Sequence, residues 1–255
     1  QTFDIQIGVE SESTAKDTVL TDVEAAADVY AFADDQITDL VKAGALLKLD
    51  DYAEVLQMAG KTLDDVKDAN VEGSVDAATI DGGLYAFPRA ADNGYFLYYD
   101  ASVLSEEDVA SWSSLLEAAD AAGKKVGMTL ASGWYNASFF YGAGFTTALN
   151  DDGTTAIDWN GTSADGYTGV DVVKGMLAIS GSPAFMAIAD CDISNQLASG
   201  NLVACVSGTW DAMTAQEVFG DGYAATKLPT FTVGDQEVQQ GSVAGYKYIG
   251  VNGYS

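Results

Sequence analysis

Eight side chains fall in pairs where the chain is expected to leave a strand: Phe32 with Asp35, Arg89 with Asp92, Trp134 with Tyr135, and Trp210 with Asp211. Aromatic faces pack on the apolar C–H side of a sugar ring, and carboxylates accept hydrogen bonds from hydroxyls. The set therefore suits a polyhydroxylated ligand held without covalent chemistry. Each pair also has a plainer explanation. A Trp after a strand often packs on the core, and Asp35 in the first turn of a helix complements the helix dipole. Arg89 and Asp92 can form an ordinary surface ion pair. Repetition over four strand-end turns favours a ligand.

Composition narrows the chemistry. The sequence has no histidine, which removes the usual general base, the commonest metal ligand and every Ser-His or Cys-His nucleophile. Its two cysteines cannot complete a zinc site alone. Cys191 and Cys205 can form one disulfide in an oxidising compartment, or stand as two buried thiols. The turn-rich segment 149–163 carries carboxylates, but its spacing misses the EF-hand pattern at the Gly and the final Glu. No cofactor or metal is expected. With 38 acidic and 11 basic residues the net charge is −27 over 255 residues. Such a surface repels phosphate backbones and anionic lipid, so nucleic acid and membrane surfaces are poor partners. No apolar run is long enough to span a bilayer. The chain starts without an initiator Met or a basic-apolar leader, as a processed or trimmed product would.

The elements that must position these residues alternate between strand and helix, the order of an α/β architecture. Phe3, Ile5, Ile7 and Val9 alternate with polar residues, predicting a first strand. Residues 28–33 predict a second, followed by Asp34 as N-cap of a helix that buries Ile37, Leu40 and Val41 and closes at Gly44. Residues 80–88 read as a two-residue turn feeding a strand that Pro88 stops, with Arg89, Asp92 and Tyr95 just beyond. Strands are expected at 95–99, 126–130, 202–206, 223–228 and 243–251. Helices are expected from Ser111 to 122, over 166–179 and 193–199, and near 211–219. Trp134 and Tyr135 are expected in a Gly-Ser turn, and Asp-Gly within 149–163 predicts a hairpin.

Four stretches add a resemblance. Residues 28–49 (DVYAFADDQITDLVKAGALLKL), 80–100 (IDGGLYAFPRAADNGYFLYYD), 111–123 (SWSSLLEAADAAG) and 197–211 (LASGNLVACVSGTWD), the last followed by TKLPTF at 226–231, resemble extracellular solute-binding proteins of the maltose/maltodextrin-binding family, in that family's order. The resemblance implies an α/β, two-lobe periplasmic-binding-protein-like fold with a hinge and an inter-lobe ligand cleft. Residues 1–91 would form part of lobe 1, 92–243 lobe 2, and 244–255 a hinge strand returning to lobe 1. It places Phe32 and Asp35 at first-lobe contacts, Asp92 at a hinge-side carboxylate, Tyr135 on a second-lobe platform with Trp134 beside it, and Trp210 on the stacking Trp. Arg89 and Asp211 join the set through chemistry and adjacency.

The same resemblance implies an extracytoplasmic, non-enzymatic receptor, either periplasmic or a surface lipoprotein whose only membrane link is an anchor upstream of Gln1. Its ligand would be an oligosaccharide, and its partners the permease and ATPase of an ABC importer. Tyr99-Asp100, Gln36 and Cys205 depart from the family pattern and bear on which sugar is bound. The family's first strand and helix and its C-terminal part have no counterpart in the chain, which makes the expected fold incomplete. Two other readings stay open: the same receptor fold taking a polyamine, peptide or metal complex, and a glycoside hydrolase using Asp35 and Asp92, which needs carboxyls about 5–10 Å apart.

Overall fold

The computed structural model describes residues 4–12, 14–150, 152–189 and 191–255. The chain forms two compact units: one runs to Asn93 and resumes at Ala244–Ser255, and the other is Gly94–Val243.

In the first unit, helix α1 (Ala15–Thr21) precedes strand β1 (Val29–Ala33). Helices α2 (Ile37–Lys42), α3 (Ala53–Met58), α4 (Leu63–Asp68) and α5 (Glu72–Ala77) follow, then strands β2 (Thr79–Ile80), β3 (Gly83–Leu84) and β4 (Phe87–Ala90). The strand Lys247–Val251 returns between β1 and β4 and runs antiparallel to both. Its register sets Tyr248 opposite Phe32, with ring centroids 5.7 Å apart. Ile37 and Leu40, one helical turn apart on α2, close the core over that pair together with Leu46, Leu49 and Leu84. Helix α4 starts on a capping box: the Asp65 N–H donates to Thr62 Oγ1 while the Asp65 carboxylate accepts from the Thr62 N–H. Asp81 and Gly82, both at positive φ, make the two-residue turn of the β2–β3 hairpin.

Three expectations in this unit are corrected. Residues 4–10 form no strand, and Ile5, Ile7 and Val9 are exposed; Phe3 lies outside the described residues. Alternation makes a strand only where a sheet edge and an apolar face receive it, and among the described residues this segment has neither. Pro88 does not stop its strand, which continues to Ala90. A proline is tolerated there because β4 is an edge strand and Pro88 sits at a register irregularity against Tyr248. Asp34 opens a short 3-10 turn rather than capping α2, because its carboxylate accepts the N–H groups of Tyr246 and Asp35 instead.

The second unit holds β5 (Phe96–Asp100), α6 (Trp112–Ala121), β6 (Lys125–Met128), α7 (Gly133–Gly142), β7 (Thr147–Leu149), β8 (Thr155–Ile157) and α8 (Gly169–Ser180). They are followed by β9 (Phe185–Ala187), α9 (Ile193–Ala198), β10 (Leu202–Ser207), α10 (Ala212–Phe219), β11 (Tyr223–Thr226) and the hairpin of β12 (Thr230–Val233) with β13 (Gln236–Gln239). Its main sheet runs β11-β5-β10-β6-β9. Strands β10, β6 and β9 are mutually parallel, while β5 is antiparallel to both of its neighbours.

Strand β10 is buried along its whole length, as its near-continuous apolar sequence requires of a strand covered on both faces. Leu97, Tyr99, Ala204 and Val206 join one core with α6, α7 and α8. Tyr98 and Cys205 join a second core with α9 and α10. Ser111 caps α6 by accepting the Ser114 N–H at 3.1 Å, and Gly123 at φ +65° ends it.

That layering separates the cysteines. Cys205 points from β10 into the α9/α10 core, whereas Cys191 sits on the surface before α9, so the two carry separate thiols and the contemplated disulfide is not made. Trp134 and Tyr135 lie in the first turn of α7 rather than in a Gly-Ser turn. Asp152-Gly153 does lie between the paired strands β7 and β8.

Candidate ligand-binding site

Strands β6 and β10 are parallel neighbours, so the segments leaving their carboxyl ends emerge side by side. One leads to Trp134 and the other to Trp210, and their rings meet with centroids 5.9 Å apart at 42°. Strand β5 runs opposite to β10, with Phe96 opposite Ser207. Its entry residue Tyr95 therefore reaches the same edge of the sheet. The Tyr95 ring lies 4.6 Å from Trp134, edge to face, and 4.8 Å from Tyr135. Its hydroxyl donates to the Trp134 carbonyl at 2.8 Å, and burial pushes that phenol above its ordinary range. The carboxyl ends of parallel strands at a change of strand direction are a recurrent ligand position in α/β sheets.

These four rings are not equivalent. Tyr95 and Tyr135 are buried in the core and serve as support, Trp134 is half-buried, and Trp210 is 44% exposed. Trp210 is thus the ring with the most face to offer, backed by Trp134, which itself packs on Tyr95 and Tyr135. A flat apolar face of this kind, fixed by packing rather than by a flexible stem, loses little entropy when a sugar ring stacks on it.

Asp211, its neighbour, is buried. Its carboxylate accepts hydrogen bonds from Ser207 Oγ at 2.5 Å and from Ser194 Oγ. It ties the short turn Thr209–Asp211 to β10 and α9 instead of reaching outward, so it positions Trp210 rather than offering an oxygen to a ligand. The Tyr98 hydroxyl adds a third tie by donating to the Gly208 carbonyl at 3.0 Å.

The expected residues of the first unit are spread along its sheet. Phe32 has no exposed surface and lies between Tyr30 and Tyr248 in the core, where no ligand can stack on it. Asp35 and Asp92 are exposed. Between Asp35 and the sheet, Asp34 fastens the end of β1 to the returning strand. Burial raises the Asp34 carboxyl above its ordinary range; the Tyr246 N–H opposes that shift and the Asp35 charge adds to it. Arg89 is taken by Glu12, whose other oxygen holds Lys247, both at 2.6 Å. That carboxylate pins Glu12 across β4 and the returning strand, a structural use of Arg89 that its position after Pro88 did not reveal.

Sequence reasoning missed the small and hydroxyl residues that hold the platform: Gly208, Ser194 and Ser207. The Gly-x-Trp spacing at 208–210 was the available signal for the first, because a glycine two residues before a Trp leaves room for the ring to fold back.

A family model described as bacterial extracellular solute-binding protein matches residues 1–253. A solved structure determined with acarbose is 32% identical with a TM-score of 0.75, over 99% of this chain and 62% of its own. The maltodextrin binding protein MalE1 from L. casei BL23, solved without ligand, is 24% identical with a TM-score of 0.66, over 94% of this chain and 59% of its own; that likeness is one of fold. The chain therefore spans about three fifths of the length of these solved chains. None of the curated proteins matches it.

Proposed function

The chain belongs to the bacterial extracellular solute-binding proteins, and we propose that it captures a carbohydrate, a malto-oligosaccharide first among them, and delivers it to the permease of an ABC importer. The observation that carries the proposal is the part-exposed Trp210 ring, backed by Trp134, which rests on Tyr95 and Tyr135, at the carboxyl edge of a largely parallel sheet. The 32%-identical structure determined with acarbose supports a carbohydrate ligand.

In this reading Trp210 stacks on a sugar ring, Trp134 extends the platform, and Asp35 and Asp92 accept hydroxyl hydrogen bonds. Selectivity arises because a wrong sugar leaves buried polar groups unpaired. Ligand-driven hinge closure is the event the importer senses, and its ATPase supplies the energy for transport. The protein works outside the cytoplasm, in a periplasm or as a surface lipoprotein. No helix among the described residues is long and apolar enough to cross a membrane. Since the family is one of binding proteins, no covalent step is assigned.

A polyamine is the second reading, favoured by the exposed carboxylate of Asp35 beside Asp34. A thermal-shift panel of maltotriose, raffinose, a xylo-oligosaccharide and spermidine separates the two. A ligand at about a hundred times its Kd stabilises the native state by about 2.7 kcal/mol, a readily visible rise in Tm. A rise with maltotriose supports the proposal, whereas a rise with spermidine alone transfers the site to a polyamine.

A further inference from the structure

Two glycines stand between the Trp210 ring and the places where the chain passes from one unit to the other. A Cβ placed on Gly208 would lie 2.2 Å from both Cη2 and Cζ3 of Trp210 and 2.5 Å from the carbonyl oxygen of Gly94. A Cβ on Gly94 would lie 2.4 Å from the carbonyl oxygen of Val243. The chain passes between the units at Asn93–Gly94 and again at Val243–Ala244. The indole, Gly208, Gly94 and Val243 thus form a ladder of direct contacts that leaves no room for a further side chain. Two hydrogen bonds brace it: Tyr98 Oη to the Gly208 carbonyl at 3.0 Å, and Ser242 Oγ to the Tyr95 carbonyl at 2.6 Å.

Space, not backbone conformation, demands glycine at 208. Its φ is −109°, a value any residue adopts. An alanine there meets the outer edge of the indole on one side and a backbone oxygen on the other, so that relieving the contact moves the ring, the Gly94 backbone or both. Close-packed backbone contacts of this kind pass a displacement on rather than absorbing it in rotamer changes.

We propose that Gly208 and Gly94 are positioning residues for the Trp210 platform, linking the height and tilt of the ring to the backbone at both passages between the units. The proposal rests on the carbohydrate reading for its ligand. The ladder itself stands on geometry alone.

The test uses Gly208→Ala and Gly94→Ala in the full chain. The Trp210 emission and its acrylamide quenching are isolated as the difference between each protein and its Trp210→Phe counterpart, and circular dichroism checks the fold. Both variants are expected to shift the Trp210 signal without ligand, and to weaken maltotriose binding about tenfold, the loss of about 1.4 kcal/mol of stacking. A folded Gly94→Ala protein with an unchanged Trp210 signal overturns the ladder. So does wild-type maltotriose affinity in either folded variant. If wild-type protein binds no maltotriose, the carbohydrate reading fails while the emission result still decides the ladder. Should Gly208→Ala fold poorly, it is placed in a Trp210→Ala background, which removes one of the two clashes. A smaller fall in Tm there than in the parent supports the contact, and equal falls overturn it.

Discussion

The indole N–H of Trp112 donates to the side-chain oxygen of Gln240 at 2.6 Å, joining the first turn of α6 to the residue that follows β13. The amide nitrogen of Gln240 donates in turn to Ser138 Oγ at 2.7 Å, and that hydroxyl donates to the Tyr135 carbonyl at 2.6 Å. Trp112, Gln240 and Ser138 are all buried. One glutamine therefore satisfies two buried polar groups and fixes α7, the helix that carries Trp134 and Tyr135. Gln240→Leu keeps much of the volume but strands the indole N–H and removes the donor to Ser138 Oγ, which keeps its own bond to the Tyr135 carbonyl. A buried orphan of this kind costs about 1–3 kcal/mol, so the variant is expected to lose about 1–3 kcal/mol in urea unfolding with an unchanged m-value. A loss within the ordinary scatter of surface substitutions, about 0.5 kcal/mol, would sink this role for Gln240.

Asp34 gives a pH signature near the expected site. Its folded carboxyl is raised, chiefly by burial, so the native state keeps a proton at pH values where the unfolded chain has released it. Native stability from this group therefore falls as pH rises from the ordinary carboxyl value through the raised one. Asp34→Asn cannot titrate. The difference in unfolding free energy between wild type and Asp34→Asn should move in the wild type's favour as pH is lowered from neutral into that window. A difference that stays flat with pH contradicts the assignment.

The two thiols should behave differently. Cys205 lies wholly buried and its thiol is pushed far up by desolvation, with the nearby Asp211 charge adding to the shift, whereas Cys191 is exposed. Thiolates, not thiols, attack disulfide reagents. An aromatic disulfide reagent should therefore titrate one thiol in the native protein and the second only on unfolding. Two equally fast thiols, or none before reduction, would contradict the placement of Cys205 in β10.

Much of the fold was legible because its signals are local. The apolar run at 202–206 reads as a strand and is one, the Ser111 cap marks the start of α6, and the Asp-Gly turn lies between β7 and β8. What escaped depends on partners distant in sequence. The alternation of Ile5, Ile7 and Val9 predicts a strand, but pairing is a property of the neighbour as much as of the segment.

The candidate site was half legible for the same reason. Residue type singled out Trp134 and Trp210, yet only the parallel pairing of β6 with β10 shows that their rings meet. Type also nominated Phe32, Tyr135 and Asp211, which tertiary packing buries. An aromatic or acid at a strand end looks the same in sequence whether it faces a ligand or the core. Gly208 and Gln240 carry no binding chemistry of their own and become visible only through what they touch.

In the proposed function Trp210 is the platform on which a sugar ring stacks. Titration calorimetry of maltotriose into wild-type protein and Trp210→Ala tests it most directly. Saturable binding by the wild type is expected, with at least a tenfold weaker Kd for the variant, about 1.4 kcal/mol or more. No binding by folded wild-type protein, or the same affinity in both proteins, would contradict it.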